Sequence, residues 1–277
     1  RVLDSGTGRG GRLPGPFSLA KVMQGPVLIR DVLKRCAAQG RPAISFEFFP
    51  PKTAEGIATL FGRTMPALKQ LQPDFISVTY GAGGSTRDLT LEIVDRAQRE
   101  LGFVAMMHLT CVGASVASLR AILDEAQARG IENILALRGD PPRGETEWRP
   151  APDGLEYSRQ LVELVRSYGT FSIGVAGFPE GHIASQGNKL ADWAYLKEKI
   201  DAGAEFVITQ LFFDNADYFT FADHMQRHLG VTVPLVPGVL PILSTAQVKR
   251  FTALCGARLP APLLARLEAL GDDDEAV

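Results

Sequence analysis

The stretch ISFEFFPPKT, residues 44–53, places one carboxylate among phenylalanines in a short apolar run. Side chains alternate between the two faces of a β-strand, so Glu47 shares one face with Ser45. The neighbouring Phe46 and Phe48 share the other face, and the two prolines that follow turn the chain. An ionised carboxylate in apolar surroundings is costly unless it is paired or protonated. Glu47 therefore either points out to solvent or is held in the fold for chemistry.

Short apolar runs of this kind recur along the chain, rich in Val, Ile, Phe or Leu and short enough to be strands. They are residues 43–48, 75–79, 103–109, 133–137, 172–176, 206–209 and 235–238. Segments with helical periodicity lie between them, as in the apolar stripe of residues 89–97. The runs begin roughly 30 residues apart, a spacing typical of strand–loop–helix–loop units. Alternating strands and helices predict an α/β fold with a parallel sheet.

Polar residues recur at or just past the ends of these runs. They are Glu47, Thr79, His108, Thr110, Arg138, Asp140 and Gln210. In a TIM (β/α)8 barrel the carboxyl ends of all the strands carry the site, whereas a doubly wound sheet concentrates its site at one switch point. The recurrence therefore favours the barrel.

The division of the chain follows from the same count. Seven units are found, whereas a closed barrel needs eight, so we expect the last β/α unit to be absent from this chain. Unbroken composition favours one barrel domain, residues 26–277. Residues 4–16 are rich in Gly and Pro, so we expect residues 1–25 to form a disordered segment.

Composition excludes several classes of function. The formal net charge of −2 provides no field for nucleic acid or a membrane surface. Cys36, Cys111 and Cys255 are scattered, which suits a reducing cytosol and provides no zinc-site spacing. No apolar run in the sequence is long enough to span a bilayer. We therefore expect a cytoplasmic protein that does not use nucleic acid, a membrane or a metal as a partner.

Two segments are candidates for chemistry. Inside a barrel near the rim, desolvation would keep Glu47 protonated at neutral pH, as a general acid requires. The alternative is a structural glutamate paired with a buried arginine. TYGAGGST, residues 79–86, is a Gly-rich turn between strand and helix that could cradle a phosphate. Its alternative is a tight turn in which Ser85 or Thr86 caps the next helix.

Further polar residues have two interpretations each. Arg138 and Asp140 flank a glycine, where backbone can approach a ligand closely, or they form an internal ion pair. His108 is either a hydrogen-bonded core histidine or a ligand contact. Gln210 could read the edge of a ring through its amide. Residues 244–247 match a helix capping box, which gives Gln247 a structural role.

The sequence shows no serine nucleophile elbow and no metal-ligand cluster. The predicted rim offers an acid, amides, a guanidinium and aromatic walls. This set suits a planar cofactor or a heterocyclic substrate better than metal-assisted hydrolysis.

At these residues the chain resembles the methylenetetrahydrofolate reductase family. The matching stretches are SFEFFPPKT, FISVTYGAGGSTRD, HLTCVGAS, NILALRGDPP, FPEGH, LKEKIDAGAEFVITQLFFD and VPGVLPI. They run in order within residues 43–274. The resemblance implies a TIM barrel with FAD at the carboxyl ends of the strands. It also implies a ping-pong reaction, in which NAD(P)H reduces the flavin and leaves before methylenetetrahydrofolate takes the hydride to become methyltetrahydrofolate. That reaction belongs to one-carbon metabolism and methionine biosynthesis.

The resemblance also implies roles for individual residues. Glu47 aligns with the acid that protonates the folate nitrogen, and Asp140 with the acidic residue between flavin and pterin. The FAD contacts implied are Thr79, Tyr80, Ala82, His108, Arg138, Gly139, Asp140, Tyr157, His182, Asp192 and Lys199. The contacts implied to folate or nicotinamide are Gln210, Gln247 and Phe251.

Two other functions remain open from the sequence. One is a binding or regulatory relative that keeps the barrel without turnover. The other is a TIM-barrel enzyme with a pterin substrate, such as a folate-dependent methyltransferase. Because barrels commonly self-associate, we also expect a homo-oligomer.

Overall fold

The computed structural model describes residues 27–81, 86–141, 149–185 and 187–270. The segment 1–25, predicted to be disordered, lies outside these ranges, as does Ala82. No helix within them combines the length and apolar character needed to cross a bilayer.

Seven strands form one parallel sheet in the order of the chain. They are β1 Ser45–Phe48, β2 Phe75–Val78, β3 Ala105–Thr110, β4 Asn133–Leu137, β5 Ser172–Gly177, β6 Phe206–Thr209 and β7 Leu235–Val236. Each strand pairs with the next, from Glu47 opposite Ser77 in β1–β2 to Ile208 opposite Val236 in β6–β7. Within the described ranges the sheet stays open between β1 and β7. The predicted strands and their parallel arrangement are confirmed, and the absence of an eighth unit stays a prediction.

Helices alternate with the strands, as the periodicity predicts. The α-helices are α1 Ile29–Ala38, α2 Ala54–Thr59, α3 Met65–Lys69, α4 Arg87–Leu101, α5 Val116–Ala128, α6 Ser158–Arg166, α7 Lys189–Asp201, α8 Asn215–Asp223, α9 Thr245–Cys255 and α10 Ala261–Leu270. Helix α4 ends at Gly102, whose φ of 64° is the left-handed conformation that glycine adopts without strain. The result is a curled, barrel-like α/β fold.

Two cores hold the sheet. An outer core lies between the sheet and the helices and includes Phe48 of β1. An inner core lies inside the curl. Its buried members are Ile29, Val32, Leu33 and Cys36 of α1 with Phe75, Met106, Leu135 and Phe206 of the strands. Gly174 makes room for this core, because a Cβ there would overlap the Phe206 ring. Each such buried side chain contributes about 1.5–3 kcal/mol through removal of apolar surface from water.

Helix α1 covers the amino-terminal mouth of the curl. The Ile29 N–H donates to Asn133 Oδ1 at 2.7 Å, and the Arg30 N–H donates to Ser172 Oγ at 3.1 Å. Asn133 and Ser172 are the first residues of β4 and β5. Arg30 also pairs with Glu205 at 2.8 Å, just before β6. This end of the curl is filled by protein, so a ligand has its access at the carboxyl ends.

Candidate active site

Glu47, Ser77 and His108 meet on the inner face of the sheet, near the carboxyl ends of β1, β2 and β3. The Ser77 hydroxyl donates to Glu47 Oε2 at 3.4 Å. His108 Nε2 lies 3.5 Å from the same oxygen. Ser77 follows Phe75 and His108 follows Met106 at a spacing of two, so both share the face of the inner core. The inward direction predicted for Glu47 is therefore confirmed.

The predicted burial of Glu47 is wrong, because its side chain is 43% exposed. The reason lies in its strand, since β1 pairs only with β2 in the described sheet and borders the open side of the curl. The next residue, Phe49, is also 63% exposed. Glu47 is a carboxyl group at an open mouth with two polar neighbours, and not an isolated acid in an apolar pocket.

Two buried polar atoms on the inner wall have no hydrogen-bond partner within the described residues, His108 Nε2 and Thr110 Oγ1. His108 is 6% exposed, and burial lowers its pKa, with Glu47 opposing that change. The imidazole is therefore neutral at physiological pH and can donate or accept a hydrogen bond. The interpretation of His108 as a satisfied core histidine does not fit its Nε2 atom, whereas a ligand contact does.

A second polar group surrounds His182, in the connection between β5 and α7. Burial lowers the pKa of His182, and the cation Arg138 at the end of β4 lowers it further, while Asp192 and Asp140 raise it. Burial also raises the pKa of Asp192, whose carboxylate accepts a hydrogen bond from the His182 backbone. Arg138, Asp140 and Asp192 therefore lie close enough to His182 for their charges to change its pKa. Lys199 is the fifth member of this group, and all five residues are predicted to contact FAD.

Lys199 is partly buried on α7, and its ammonium donates to the Ala176 carbonyl oxygen at 2.8 Å. Burial lowers its pKa to about 8, Asp192 opposes that change and Arg138 adds to it. Phe178 closes one side of the group, with its ring edge-on to His182 at 4.6 Å between centroids. The group thus combines the cations Arg138 and Lys199 with the carboxyl groups of Asp140 and Asp192.

The residues that follow β4 include Gly139 and Asp140, both predicted to contact FAD. Gly139 has a φ of 87°, and a Cβ on it would come within 2.5 Å of Val112 Cγ1. The positive φ and the neighbouring Val112 side chain both require glycine here, and the contact of Gly139 with a ligand stays a prediction. Asp140 is exposed beyond it. Tyr157, 54% exposed, lies near enough to Arg138 for that cation to lower its pKa, although a hydrogen bond and charge from Glu156 dominate and raise it.

The segment after β2 is partly described. The Thr79 N–H donates to the Phe48 carbonyl at 2.9 Å, which extends the β1–β2 pairing by one residue. Tyr80 packs against the outer core, where burial raises its pKa to about 12. The Thr86 hydroxyl accepts from the Gly81 N–H at 2.7 Å and makes no cap hydrogen bond to α4. The predicted capping by Thr86 is therefore wrong, and Ser85 lies outside the described residues.

The three residues predicted to contact the substrate differ in the contacts that their side chains make with the rest of the protein. Gln210 follows β6, and its Oε1 accepts from the N–H of Leu211 at 2.8 Å. Ser244 Oγ accepts from the Gln247 N–H at 3.2 Å, so half of the predicted capping box is present. Gln247 Oε1 is buried with no partner in the described residues. Phe251 lies 6.4 Å from Phe49 between ring centroids, which brings α9 to the aromatic rim beside Glu47.

Ser77 is a site residue that the sequence analysis did not identify. Its signal was present, because Phe75, Ser77 and Thr79 alternate on the inner face of β2 in the same manner as Ser45 and Glu47 on β1. The contact itself depends on the register of β1 and β2, which pairs Glu47 with Ser77.

Solved structures with a similar backbone include enzymes and an uncharacterized protein. A protein from Clostridium thermocellum, described as binding two copies of 5-methyl-5,6,7,8-tetrahydrofolic acid, has a TM-score of 0.62 at 16% identity, covering 88% of this chain and 82% of that one. Tryptophan synthase subunit alpha from Legionella pneumophila has a TM-score of 0.51 at 10% identity, covering 83% and 84%. At such low identity these likenesses establish the barrel-like α/β fold alone.

Sequence comparisons are more specific. The chain is 42% identical over 257 residues to methylenetetrahydrofolate reductase (NADH) 1 of Arabidopsis thaliana, covering 89% of this chain and 43% of the relative. It therefore spans less than half of the plant protein's length. It is 39% identical over 248 residues to 5,10-methylenetetrahydrofolate reductase of Escherichia coli, covering 89% of this chain and 81% of the relative. A family model described as methylenetetrahydrofolate reductase matches residues 32–277. The chain belongs to the methylenetetrahydrofolate reductase family.

Proposed function

We propose that this chain carries the catalytic centre of a methylenetetrahydrofolate reductase that uses NADH to convert 5,10-methylenetetrahydrofolate to 5-methyltetrahydrofolate. The observation that carries the proposal is the carboxyl group of Glu47 at the open mouth of the curl, beside His108 and two residues before Phe49, which pairs with Phe251. Family membership supports the reaction, and the names of two plant relatives support NADH as the reductant.

Glu47 would supply the proton that the reaction needs. Protonation of the nitrogen that leaves the methylene carbon breaks that carbon–nitrogen bond, and the remaining iminium carbon accepts a hydride to become the methyl group. Glu47 is exposed enough to exchange protons with solvent between turnovers. The aromatic rings of Phe49 and Phe251 would hold a planar pterin beside it.

The residues of the rim fit FAD, the cofactor that the resemblance implies. The buried atoms His108 Nε2 and Thr110 Oγ1 are without protein partners in the described residues, which suits a heterocycle with its own donors and acceptors. Arg138, His182 and Lys199 form a group of donors suited to phosphate and ribose oxygens. When bound, the flavin would supply the hydride-transfer chemistry. The other proposed cofactor contacts are Thr79, Tyr80, Ala82, Gly139, Asp140, Tyr157 and Asp192.

Gln210, Gln247 and Asp140 would contact the substrate. Gln247 Oε1 makes no hydrogen bond to the described residues and could accept from a pterin N–H, whereas Gln210 must first release the N–H of Leu211. Asp140, exposed at the end of β4, is proposed to lie between flavin and pterin. We further propose a complete (β/α)8 barrel domain and a homo-oligomeric assembly for the whole protein.

Replacement of the acid tests the proposal. Glu47→Gln keeps the size of the side chain and its acceptor oxygen but cannot donate a carboxyl proton. We expect the variant to bind FAD and to be reduced by NADH as the wild type is, because neither step needs that proton. Its reoxidation by methylenetetrahydrofolate should slow by about a hundredfold or more, the usual contribution of a general acid.

Anaerobic stopped-flow absorbance of the flavin separates these two half-reactions. Glu55→Gln, in the exposed first turn of α2, is the matched control and should behave as the wild type. Equal reoxidation rates in Glu47→Gln and the wild type would contradict the role of Glu47. A wild-type protein that binds FAD and is reduced by NADH but ignores the folate would contradict the proposed reaction.

A further inference from the structure

Ser77 is a polar exception in a strand that is otherwise apolar. All four residues of β2 are buried, and Ser77 is 4% exposed between Ile76 and Val78, which are fully buried. A hydroxyl removed from water destabilises the fold unless it makes a hydrogen bond. The side-chain hydrogen bond that Ser77 makes in the structure is to Glu47 Oε2 at 3.4 Å.

The register of the sheet fixes this contact. Ser77 is the direct partner of Glu47 in the β1–β2 ladder, so its Cβ lies beside that of Glu47 on the inner face. On the next strand, His108 Nε2 approaches the same carboxyl oxygen at 3.5 Å. Both neighbours therefore contact Oε2 from the wall of the curl.

The two neighbours differ in what they can do. His108 is neutral because burial lowers its pKa, so it does not attract the carboxylate as a full cation would. The Ser77 hydroxyl rotates freely and can donate to Oε2 in either protonation state of the carboxyl group. It can thus hold Glu47 while the proton sits on Oε1 and after that proton has left.

We propose that Ser77 is a positioning residue for Glu47, which fixes Oε2 against the inner wall so that Oε1 carries the transferable proton toward the substrate. This role rests on the proposed function, since it concerns the proton-donating step. Ser77 itself touches neither substrate nor cofactor in this account, and it acts through the orientation of the carboxyl group.

The kinetic test uses Ser77→Ala in the FAD-loaded protein. We expect FAD binding and reduction by NADH to match the wild type, while reoxidation by methylenetetrahydrofolate slows by roughly tenfold, in line with loss of a hydrogen bond to a charged group. Ser77→Thr keeps the hydroxyl and should recover most of the rate. Ser172→Ala is the matched control, because Ser172 is a fully buried inner-wall serine whose hydroxyl serves α1 at the opposite mouth.

A spectroscopic test needs neither cofactor nor substrate. The infrared difference between the wild type and Glu47→Gln identifies the carboxylate stretching band of Glu47. We expect that band to change frequency in Ser77→Ala, to stay near its wild-type position in Ser77→Thr and to be unaffected by Ser172→Ala. An unchanged band in Ser77→Ala would overturn the contact.

The outcomes of the two tests are distinct. A changed band together with a slow folate step in Ser77→Ala supports the proposal. A changed band with a wild-type folate rate overturns the positioning role. If the wild-type protein is reduced by NADH but does not react with the folate, the proposed function is wrong. The positioning role of Ser77, which depends on that function, is then wrong as well. The infrared result then still reports the contact by itself.

Discussion

Lys199 is a lysine whose surroundings disfavour its charge. Its ammonium group donates to the Ala176 carbonyl oxygen at 2.8 Å, behind the end of β5. Burial lowers its pKa from 10.5 to about 8, with Asp192 giving partial compensation. A lysine whose charged form is disfavoured by burial destabilises the folded chain, and such lysines often occur at functional sites. Binding of an anionic group beside Lys199 would offset that cost.

The lowered pKa of Lys199 predicts that the stability of the folded chain depends on pH. The folded chain loses the Lys199 proton at about pH 8, whereas the unfolded chain keeps it up to about pH 10.5. Between those values the unfolded state binds more protons, so unfolding becomes harder as pH rises. The destabilisation by Lys199 is therefore complete below about pH 8 and is relieved toward pH 10.5.

Lys199→Met should remove this dependence. We expect the unfolding free energy of the wild type to gain about 1–2 kcal/mol relative to Lys199→Met between neutral and strongly alkaline pH, after allowance for partial exposure. Urea unfolding of both proteins across that range measures the difference. Lys197→Met, a neighbouring lysine paired with Asp201 on the helix surface, is the control and should follow the wild type. If the unfolding free energies of Lys199→Met and the wild type change with pH in parallel, the lowered pKa of Lys199 is refuted.

At the scale of residues, the direction of a side chain was easier to predict than its surroundings. The inward direction of Glu47 followed from strand alternation alone, which is a local property. Its exposure did not, because that depends on what covers the open side of β1. Gly139 was predicted to be a point where backbone approaches a ligand closely, but its neighbour Val112 comes from the loop after another strand and could not be read from the local sequence.

Among the elements, the connection between α9 and α10 fixes the position of α9 at the rim. Arg258 donates to Asp217 of α8 at 2.9 Å through its guanidinium, and its backbone N–H donates to Glu180 at 2.9 Å. Glu180 precedes His182 in the chain, and Asp217 also pairs with Lys189 of α7 at 2.9 Å. This ion-pair cluster ties α9, with its Gln247 and Phe251, to the segment that carries His182.

Arg258→Met tests the cluster. Removal of the guanidinium leaves Asp217, whose side chain is 14% exposed, with Lys189 as its remaining cation among these pairs. We expect a lower midpoint of urea unfolding, because a carboxylate with little solvent depends on its cations. Arg227→Met is the matched control, since Arg227 is 79% exposed and its pair with Asp223 should contribute little. Equal midpoints for both variants would show that the cluster does not hold α9 in place.

Helix α1 shows which part of an element can be predicted. Its buried residues Ile29, Val32, Leu33 and Cys36 have the spacing of an amphipathic helix, so the element was readable from the sequence. Its position over the amino-terminal mouth was not, because Asn133 and Ser172 are more than a hundred residues away along the chain. Periodicity predicts elements, and partners distant in sequence decide where they pack.

For the whole molecule, the parallel order of the strands is the main organising fact. Because every strand runs in the same direction, all carboxyl ends lie at one edge, and polar residues from separate strands gather there. That rule was sufficient to collect Glu47, His108, Arg138 and Gln210 at one rim from the sequence. The direction of the strands does not give the distances between side chains. The contacts of Glu47 with Ser77 and His108 depend on the register of the strands and on the curl of the sheet.

Product formation in a single turnover is the sharpest test of whether this chain reduces methylenetetrahydrofolate. The chain is loaded with FAD, reduced with NADH without oxygen, freed of nucleotide and mixed with 5,10-methylenetetrahydrofolate, and the quenched mixture is examined by mass spectrometry. We expect 5-methyltetrahydrofolate in an amount close to that of the reduced flavin, with return of the oxidised flavin absorbance at the same rate. Flavin that stays reduced, with no methyl product, would contradict the account.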